Sequence, residues 1–203
     1  MFSESDYVGN FLPHDGALDF YLRCRSLIGE NDHVLDIGAG RAAWYEDDPS
    51  LIRRDIRALK NVCRQVTAAD IDPVVLGNRA SDRQLLIENH RVPAEDHSFD
   101  LIIADWVLEH VQDPVSFATE IDRLLKPGGW FCARTPHRYH YVALAAQLVP
   151  NSLHKMILSK VQPHKKGEDV FPTCYKMNSF DKIQGFFFWL AESIFYLSWK
   201  LLL

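Results

Sequence analysis

An apolar stretch that meets a carboxylate and then two glycines is the first place where this chain could do chemistry. In His33-Val34-Leu35-Asp36-Ile37-Gly38-Ala39-Gly40, a short buried strand over Val34–Ile37 delivers Gly38 and Gly40 at its carboxyl end. Glycines there take backbone angles closed to other residues and hold no side chain against a ligand. Main-chain N–H groups can then approach a nucleotide-like cofactor, at the strand end where open α/β sheets bind ligands. Gly38-Ala39-Gly40-Arg41-Ala42-Ala43 also fits the dinucleotide fingerprint G-x-G-x-x-G/A. Two features weigh against NAD. Asp36 stands two places before the first glycine, and the next strand-ending acid, Asp70, lies 30 residues past Gly40, where that motif expects roughly 20. His137 and His140 are three apart and could share a helical face as metal ligands, but no third ligand is evident, so no metal is expected.

These residues need strands and helices to hold them. Helical spacing runs through Ala17, Leu18, Tyr21, Leu22, Cys24 and Ile28 and stops at Gly29. Asp48-Pro49 reads as an N-cap with proline at the first helical position. The helix it opens carries Leu51, Ile52, Ile56 and Leu59 on one face and Arg53, Arg54, Arg57 and Lys60 on the other. That basic face reads as solvated, with an anionic substrate as the rarer use. Gln65–Ala69 is a second strand, and Asp72-Pro73 opens a short helix with Asp72 as turn or cap residue. Leu85–Ile87 is a third strand. Phe99–Ala104 is a continuous apolar run, as a central parallel strand buried on both faces requires; Asp100 at its start is structural. Asp113-Pro114 caps a helix over Phe117, Ala118, Ile121, Leu124 and Leu125, with Asp122 and Lys126 as an i,i+4 pair. Lys126-Pro127-Gly128-Gly129 ends it, and Trp130–Arg134 is a fifth strand. Strands alternating with helices predict a doubly wound, mainly parallel sheet.

Composition bounds the rest. The chain of 203 residues suits one α/β domain. Its net charge of −5 argues against nucleic acid as the main partner. Cys24, Cys63, Cys132 and Cys174 form no CxxC pair and read as reduced thiols of a cytoplasmic protein. The first residues have no basic n-region or apolar h-region, so no signal peptide is expected.

Five blocks in order then carry a resemblance: VLDIGAG (34–40), AADIDP (68–73), VPAEDHSFDLIIADWVLEHV (92–111), DPVSFATEIDRLLKPGGW (113–130) and ARTPH (133–137). Together they cover roughly half the chain. With them the chain resembles a class I S-adenosylmethionine-dependent methyltransferase of the type-11 superfamily, similar to a bacterial subgroup. The resemblance implies a Rossmann-like fold and S-adenosylmethionine as cofactor. Gly38 and Gly40 would lie under its methionine part, Asp36 would fix the turn and help hold the amino group, and Asp70 would accept hydrogen bonds from both ribose hydroxyls. Glu88, with Asn89, would contact the adenine. Asp105 and Trp106 would border the methionine end, where a Trp could face the sulfonium. His110 and His137 are the candidate bases, each weighed against a structural histidine, and Trp106 is weighed against core packing. The acceptor is a small molecule or a glycan or lipid precursor, capped by segment 137–178.

The resemblance has two departures. Ala42 stands where relatives usually have a third glycine. Relatives also continue for two more strands, whereas here the sequence runs into Gly185-Phe186-Phe187-Phe188-Trp189-Leu190. Five core strands are therefore expected, with the usual last two missing or replaced. Domain 1–182 is followed by an apolar C-terminal helix over 183–203, a candidate cover for the open edge of the fifth strand. Packing on the domain is favoured over membrane-surface or partner contact, and a tail anchor comes last, since Glu192 and Lys200 interrupt the apolar face. Two other functions stay open: a degenerate S-adenosylmethionine-binding protein and an NAD-dependent oxidoreductase.

Overall fold

Six parallel strands in the order β3-β2-β1-β4-β5-β6 make the sheet on which everything else is mounted. The computed structural model describes residues 15–135, 173, 174, 176 and 177, with the backbone of 136 and of 194–200. The strands are β1 (His33–Ile37), β2 (Gln65–Asp70), β3 (Arg83–Leu86), β4 (Phe99–Asp105), β5 (Leu125–Pro136) and β6 (Ile194–Lys200). The helices are α1 (Gly16–Ser26), α2 (Trp44–Asp47), α3 (Leu51–Arg57) and α4 (Pro114–Leu124), with a 3-10 turn over Pro73–Gly77. Because β1 pairs with both β2 and β4, the order reverses there, and the crevice of an open α/β sheet lies at that switch point.

The two-residue period of the strands sorts the core onto two faces. Leu35, Ile37, Ala69, Phe99, Ile102, Ala104, Phe131 and Ala133 pack with Ala118, Ile121 and Leu124 of α4 and with Met177. Val34, Val66, Leu101, Ile103 and Cys132 pack with Phe20, Tyr21 and Cys24 of α1 and with Leu59 and Cys63. Asp113 caps α4 as expected, accepting from the N–H of Val115 and Ser116, and Asp15 caps α1, accepting from those of Ala17 and Leu18. Asp72 caps the 3-10 turn through Val74 N–H at 3.0 Å.

Four expectations change. Ser50, not Asp48, caps α3, accepting from Arg53 N–H. Asp48 instead takes the Arg53 guanidinium through two hydrogen bonds of 2.5 and 2.7 Å, and Asp15 takes it at 2.6 Å. So Arg53 is buried, not part of a solvated basic face, because two carboxylates neutralise it. Lys126 lies in β5, past the end of α4, and pairs with Asp100 at 2.7 Å rather than with Asp122. Asp100 also accepts His33 N–H at 2.8 Å, the structural role expected of it.

The fourth change is at the tail. The expected helix over 183–203 is, across Ile194–Lys200, strand β6, paired in parallel with β5 from Trp130↔Ile194 to Pro136↔Lys200. Residues 183–193 and 201–203 lie outside the described residues. The segment carries three aromatic residues and Ile194, and an open strand edge offers a row of unmet backbone partners. A polar spacing of four fits a helix and is also even, so it could not exclude a strand. The sheet thus has five strands as expected plus a sixth that covers the edge. Among the described residues no helix is long and apolar enough to cross a membrane.

Candidate cofactor and active site

The glycine turn is hung on β2. Gly38 N–H donates to Ala69 O at 2.7 Å and Ala39 N–H to the same oxygen at 3.3 Å. Gly38 has φ +71°, and a Cβ built there would stand 2.4 Å from Cγ2 of Val107, so glycine is required on both counts. Gly40 has φ +49°, and a Cβ there would meet nothing within 4 Å, which leaves an open surface above the turn. Ala42 shares this left-handed backbone, at φ +52°, although it is not glycine.

Asp70 stands beside that surface. One carboxylate oxygen accepts Gly40 N–H at 2.8 Å and the other accepts Asp72 N–H at 3.0 Å. Each oxygen keeps acceptor capacity for a further donor. Asn78 completes the turn from below: its Nδ2 donates to Gly40 O at 2.9 Å, and its Oδ1 accepts Ala80 N–H at 3.0 Å. No motif or periodicity signals this role.

A second polar cluster lies on the α1 and α3 face of the sheet. Asp105, the last residue of β4, is gripped by Arg134 of β5 through Nε at 2.6 Å and Nη2 at 2.7 Å. Tyr21 donates its hydroxyl to Asp105 at 3.1 Å. Burial and then the Asp105 charge push the Tyr21 phenol well above its ordinary value, so it stays a donor. Burial works against the charge of Arg134, but Asp105 outweighs it and holds the guanidinium above its ordinary value. Asp36 projects to the same side. Burial, reinforced by the charge of Asp105, raises its pKa from 3.8 to about 7, with Arg57 opposing and Asp70 adding a little. A narrow cleft lined by Tyr21, Asp36, Trp44, Arg57 and Asn78 joins this cluster to the underside of the turn.

Of the other predicted residues, Glu88, Asn89 and His110 stand apart from these two groups, while Trp106 borders the second through Arg134. Glu88 and Asn89 sit on an exposed turn after β3, closed by reciprocal bonds between Glu88 and Arg91, with Asn89 and His90 both at positive φ. The turn is tied to α4, since Val92 N–H donates to Glu120 at 2.8 Å and Arg123 reaches Val92 O at 3.1 Å. Trp106 follows β4 with φ +62° and is 43% exposed, so it is not core packing. A bulky residue in that region marks strain, which tends to be kept at functional strand ends. His110 is half-buried, one residue past Glu109. Glu109 is buried, its carboxyl pushed up by that burial, and it accepts Thr135 Oγ1 at 2.9 Å. Cys174 N–H docks on Glu109 O at 2.7 Å. His137, His140 and most of the expected cap 137–178 lie outside the described residues.

The structure therefore brings Asp36, Gly38, Gly40 and Asp70 together, places Trp106 at the open end of β4, and turns Asp105 inward. Sequence reasoning missed Tyr21, Trp44, Arg57, Asn78 and Arg134. One signal was available: an arginine inside the buried run 131–135 needs a carboxylate partner. Among the described residues no group of three metal-ligating side chains occurs.

Known proteins bear on this site. A family model described as a methyltransferase domain matches residues 53–133. The chain is 26% identical over 146 residues to the ubiquinone biosynthesis O-methyltransferase of Hydrogenovibrio crunogenus, covering 68% of this chain and 56% of that one. To the enzyme of the same name in Sodalis glossinidius it is 32% identical over 133 residues, 61% of this chain and 50% of that one. Among solved structures, a SAM-dependent methyltransferase from Aquifex aeolicus is 17% identical with a TM-score of 0.49, covering 80% and 89% of the two chains. The chain spans about half the length of the curated relatives it matches. The matched region takes in β2, β3, β4 and most of β5, with the carboxylates Asp70 and Asp105 ending β2 and β4, and over that region the chain is similar to S-adenosylmethionine-dependent methyltransferases.

Proposed function

We propose that this chain transfers a methyl group from S-adenosylmethionine to an oxygen of a small-molecule acceptor, a glycan or lipid precursor being within that class. The observation that carries this reading is Asp70, held by Gly40 and Asp72 N–H with acceptor capacity to spare, beside the open surface of Gly40. A carboxylate so placed suits a ribose diol, and a glycine surface suits a ligand lying flat on main chain. The names of the relatives support oxygen as the acceptor atom.

The cofactor, when bound, supplies an already activated methyl group, so covalent work by the protein is small. Asp70 orients the ribose, and Glu88 and Asn89 stand at the adenine side. Asp36 meets the amino-acid end. Trp106, exposed past β4, walls the methionine side and offers a ring face to a cation. Asp105 supports this wall from beneath by fixing Arg134, whose carbonyl accepts Trp106 N–H at 2.8 Å. His110 and His137 remain the proposed acceptor-side bases. Holding the nucleophile in line accounts for most of what the protein must add.

A second reading, binding without turnover, draws on Ala42, buried and left-handed where a glycine would be relaxed. An NAD-dependent oxidoreductase has no support from the family match. The test is transfer of labelled methyl from S-adenosylmethionine to a panel of phenolic, glycan and lipid-precursor acceptors. Label on any acceptor supports the proposal. Binding of the cofactor with no transfer to any of them supports the second reading.

A further inference from the structure

The turn after β3 is fastened more heavily than a surface turn needs. Glu88 and Arg91 close it through reciprocal main-chain bonds of 3.2 and 2.9 Å. Its two central residues, Asn89 and His90, both take left-handed backbone, at φ +50° and +61°. Neither is glycine, so the turn costs free energy and persists only where its surroundings fix both ends. Its entry is fixed by Ile87, whose N–H donates to Asp70 O at 2.8 Å. Its exit is fixed by α4. Glu120 accepts Val92 N–H at 2.8 Å, while Arg123 donates through Nη2 to Val92 O at 3.1 Å and through Nη1 to Ala94 O at 2.9 Å.

Arg123 is itself set by carboxylates. Glu120 takes its Nε at 2.9 Å and its Nη2 at 2.7 Å, and Asp96 takes Nη1 at 2.6 Å. The Arg123 and Glu120 side chains are 14% and 11% exposed, so solvent screens this pair far less than a surface ion pair. The buried Val92 side chain already anchors the segment in the core. What the guanidinium adds is orientation, because one planar fork holds two main-chain carbonyls at once.

Glu88 is the group that this orientation serves. Its carboxylate is exposed and meets no hydrogen-bond donor among the described residues. An ionised carboxylate only accepts, and the donor that adenine offers is its 6-amino group.

We propose that Arg123, paired with Glu120, is a positioning residue for purine specificity: it holds the exit of the turn so that Glu88 reads the 6-amino group of the cofactor's adenine. The inference rests on the methyltransferase reading, with Glu88 at the adenine side. It adds a helix residue that acts on the cofactor only through Glu88.

The test is calorimetric titration of the full chain with two probes. S-adenosylhomocysteine carries the 6-amino group, and S-inosylhomocysteine carries a 6-oxo group in its place and is otherwise the same. The parent should prefer S-adenosylhomocysteine about tenfold or more, the scale of one charge-assisted bond. Glu88→Gln, whose amide donates as well as accepts, should remove that preference. Arg123→Lys keeps a cation for Glu120 but lacks the fork, and should cut the preference about threefold or more while S-inosylhomocysteine binds as in the parent. Arg123→Met should cut it further; should that variant fail to fold, Arg123→Lys carries the test alone. Combining Arg123→Lys with Glu88→Gln should lose no more preference than Glu88→Gln does, because the two act in series. Equal weakening of both probes by Arg123→Lys, with the preference kept, would make Arg123 a support of the fold and overturn the proposal. So would a preference that Arg123→Lys leaves unchanged, or losses that add in the double variant. A parent that binds both probes equally overturns the proposal and leaves the methyltransferase reading standing. A parent that binds neither probe overturns that reading itself.

Discussion

Asp70 and Asp105 occupy the same kind of position and meet opposite fates. Each is the final residue of a buried parallel strand, β2 and β4, at the carboxyl end of the sheet. Asp70 is held by main-chain N–H groups, from Gly40 and from Asp72. Asp105 is held by side chains, with Arg134 bonded to both of its oxygens and Tyr21 to one. A carboxylate held by two backbone N–H groups keeps acceptor capacity for a further donor. A carboxylate gripped by a guanidinium and a phenol has its oxygens taken up and becomes part of the interior. The identity of the partner, not the strand end, separates a ligand receptor from a structural group.

Removing the partner of Asp105 should cost the most. Arg134→Met leaves a buried carboxylate, 8% exposed, without its two guanidinium hydrogen bonds, with Arg57 at 3.7 Å as the remaining cation. A destabilisation of about 3–5 kcal/mol is expected in urea unfolding, because breaking one half of a buried pair strands the other. Exchanging both, as Asp105→Leu with Arg134→Met, should recover most of that loss. If the single variant unfolds like the parent, Asp105 is not the interior group described.

The next effect is on Asp36, which neighbours both regions. Its pKa rises from 3.8 to about 7 on folding, chiefly by burial. The folded state then binds more protons than the unfolded one between these values. The stability Asp36 contributes is full below about pH 4 and lost as pH climbs to about 7. Asp36→Asn should therefore gain on the parent across that range and flatten the profile. Cofactor binding should run the other way, strengthening in the parent from pH 6 to 8 as Asp36 ionises, and staying flat in the variant. A parent whose binding is flat over the same interval would contradict the ammonium contact.

On the Asp70 side the effects are smaller, because single neutral bonds are at stake. Asn78→Ala removes the donor to Gly40 O and should cost about 1–3 kcal/mol in thermal or urea unfolding. It should also weaken the cofactor, since the turn loses its lower support. The smallest change is a gain. Ala42→Gly relieves a left-handed alanine and should stabilise by about 1 kcal/mol. A loss of stability there would show that the methyl packs better than its backbone suffers.

The same contrast explains what could be read from the amino acids alone. Strands β1, β2 and β4, the capped helix α4 and the glycine turn rest on local pattern: apolar runs, Asp-Pro caps, glycines at a strand end. Asp70 was legible because its strand and the turn both announce themselves. Arg134 with Asp105 and Arg53 with Asp15 were not, because the partners are 29 and 38 residues apart and no spacing rule links them. Asn78 sits in a turn without periodicity, and its job is defined only by a carbonyl 38 residues upstream. The tail was misread because its polar spacing fits either a helix or a strand, and only the open edge of β5 decides between them.

The most direct measurement is calorimetric titration of the chain with S-adenosylmethionine, set beside Asp70→Ala. Saturable binding by the parent, weakened at least about tenfold in the variant while both unfold cooperatively, is the expected result. No heat from the parent, or equal affinity in the two proteins, would contradict the central claim that Asp70 is the cofactor's receptor.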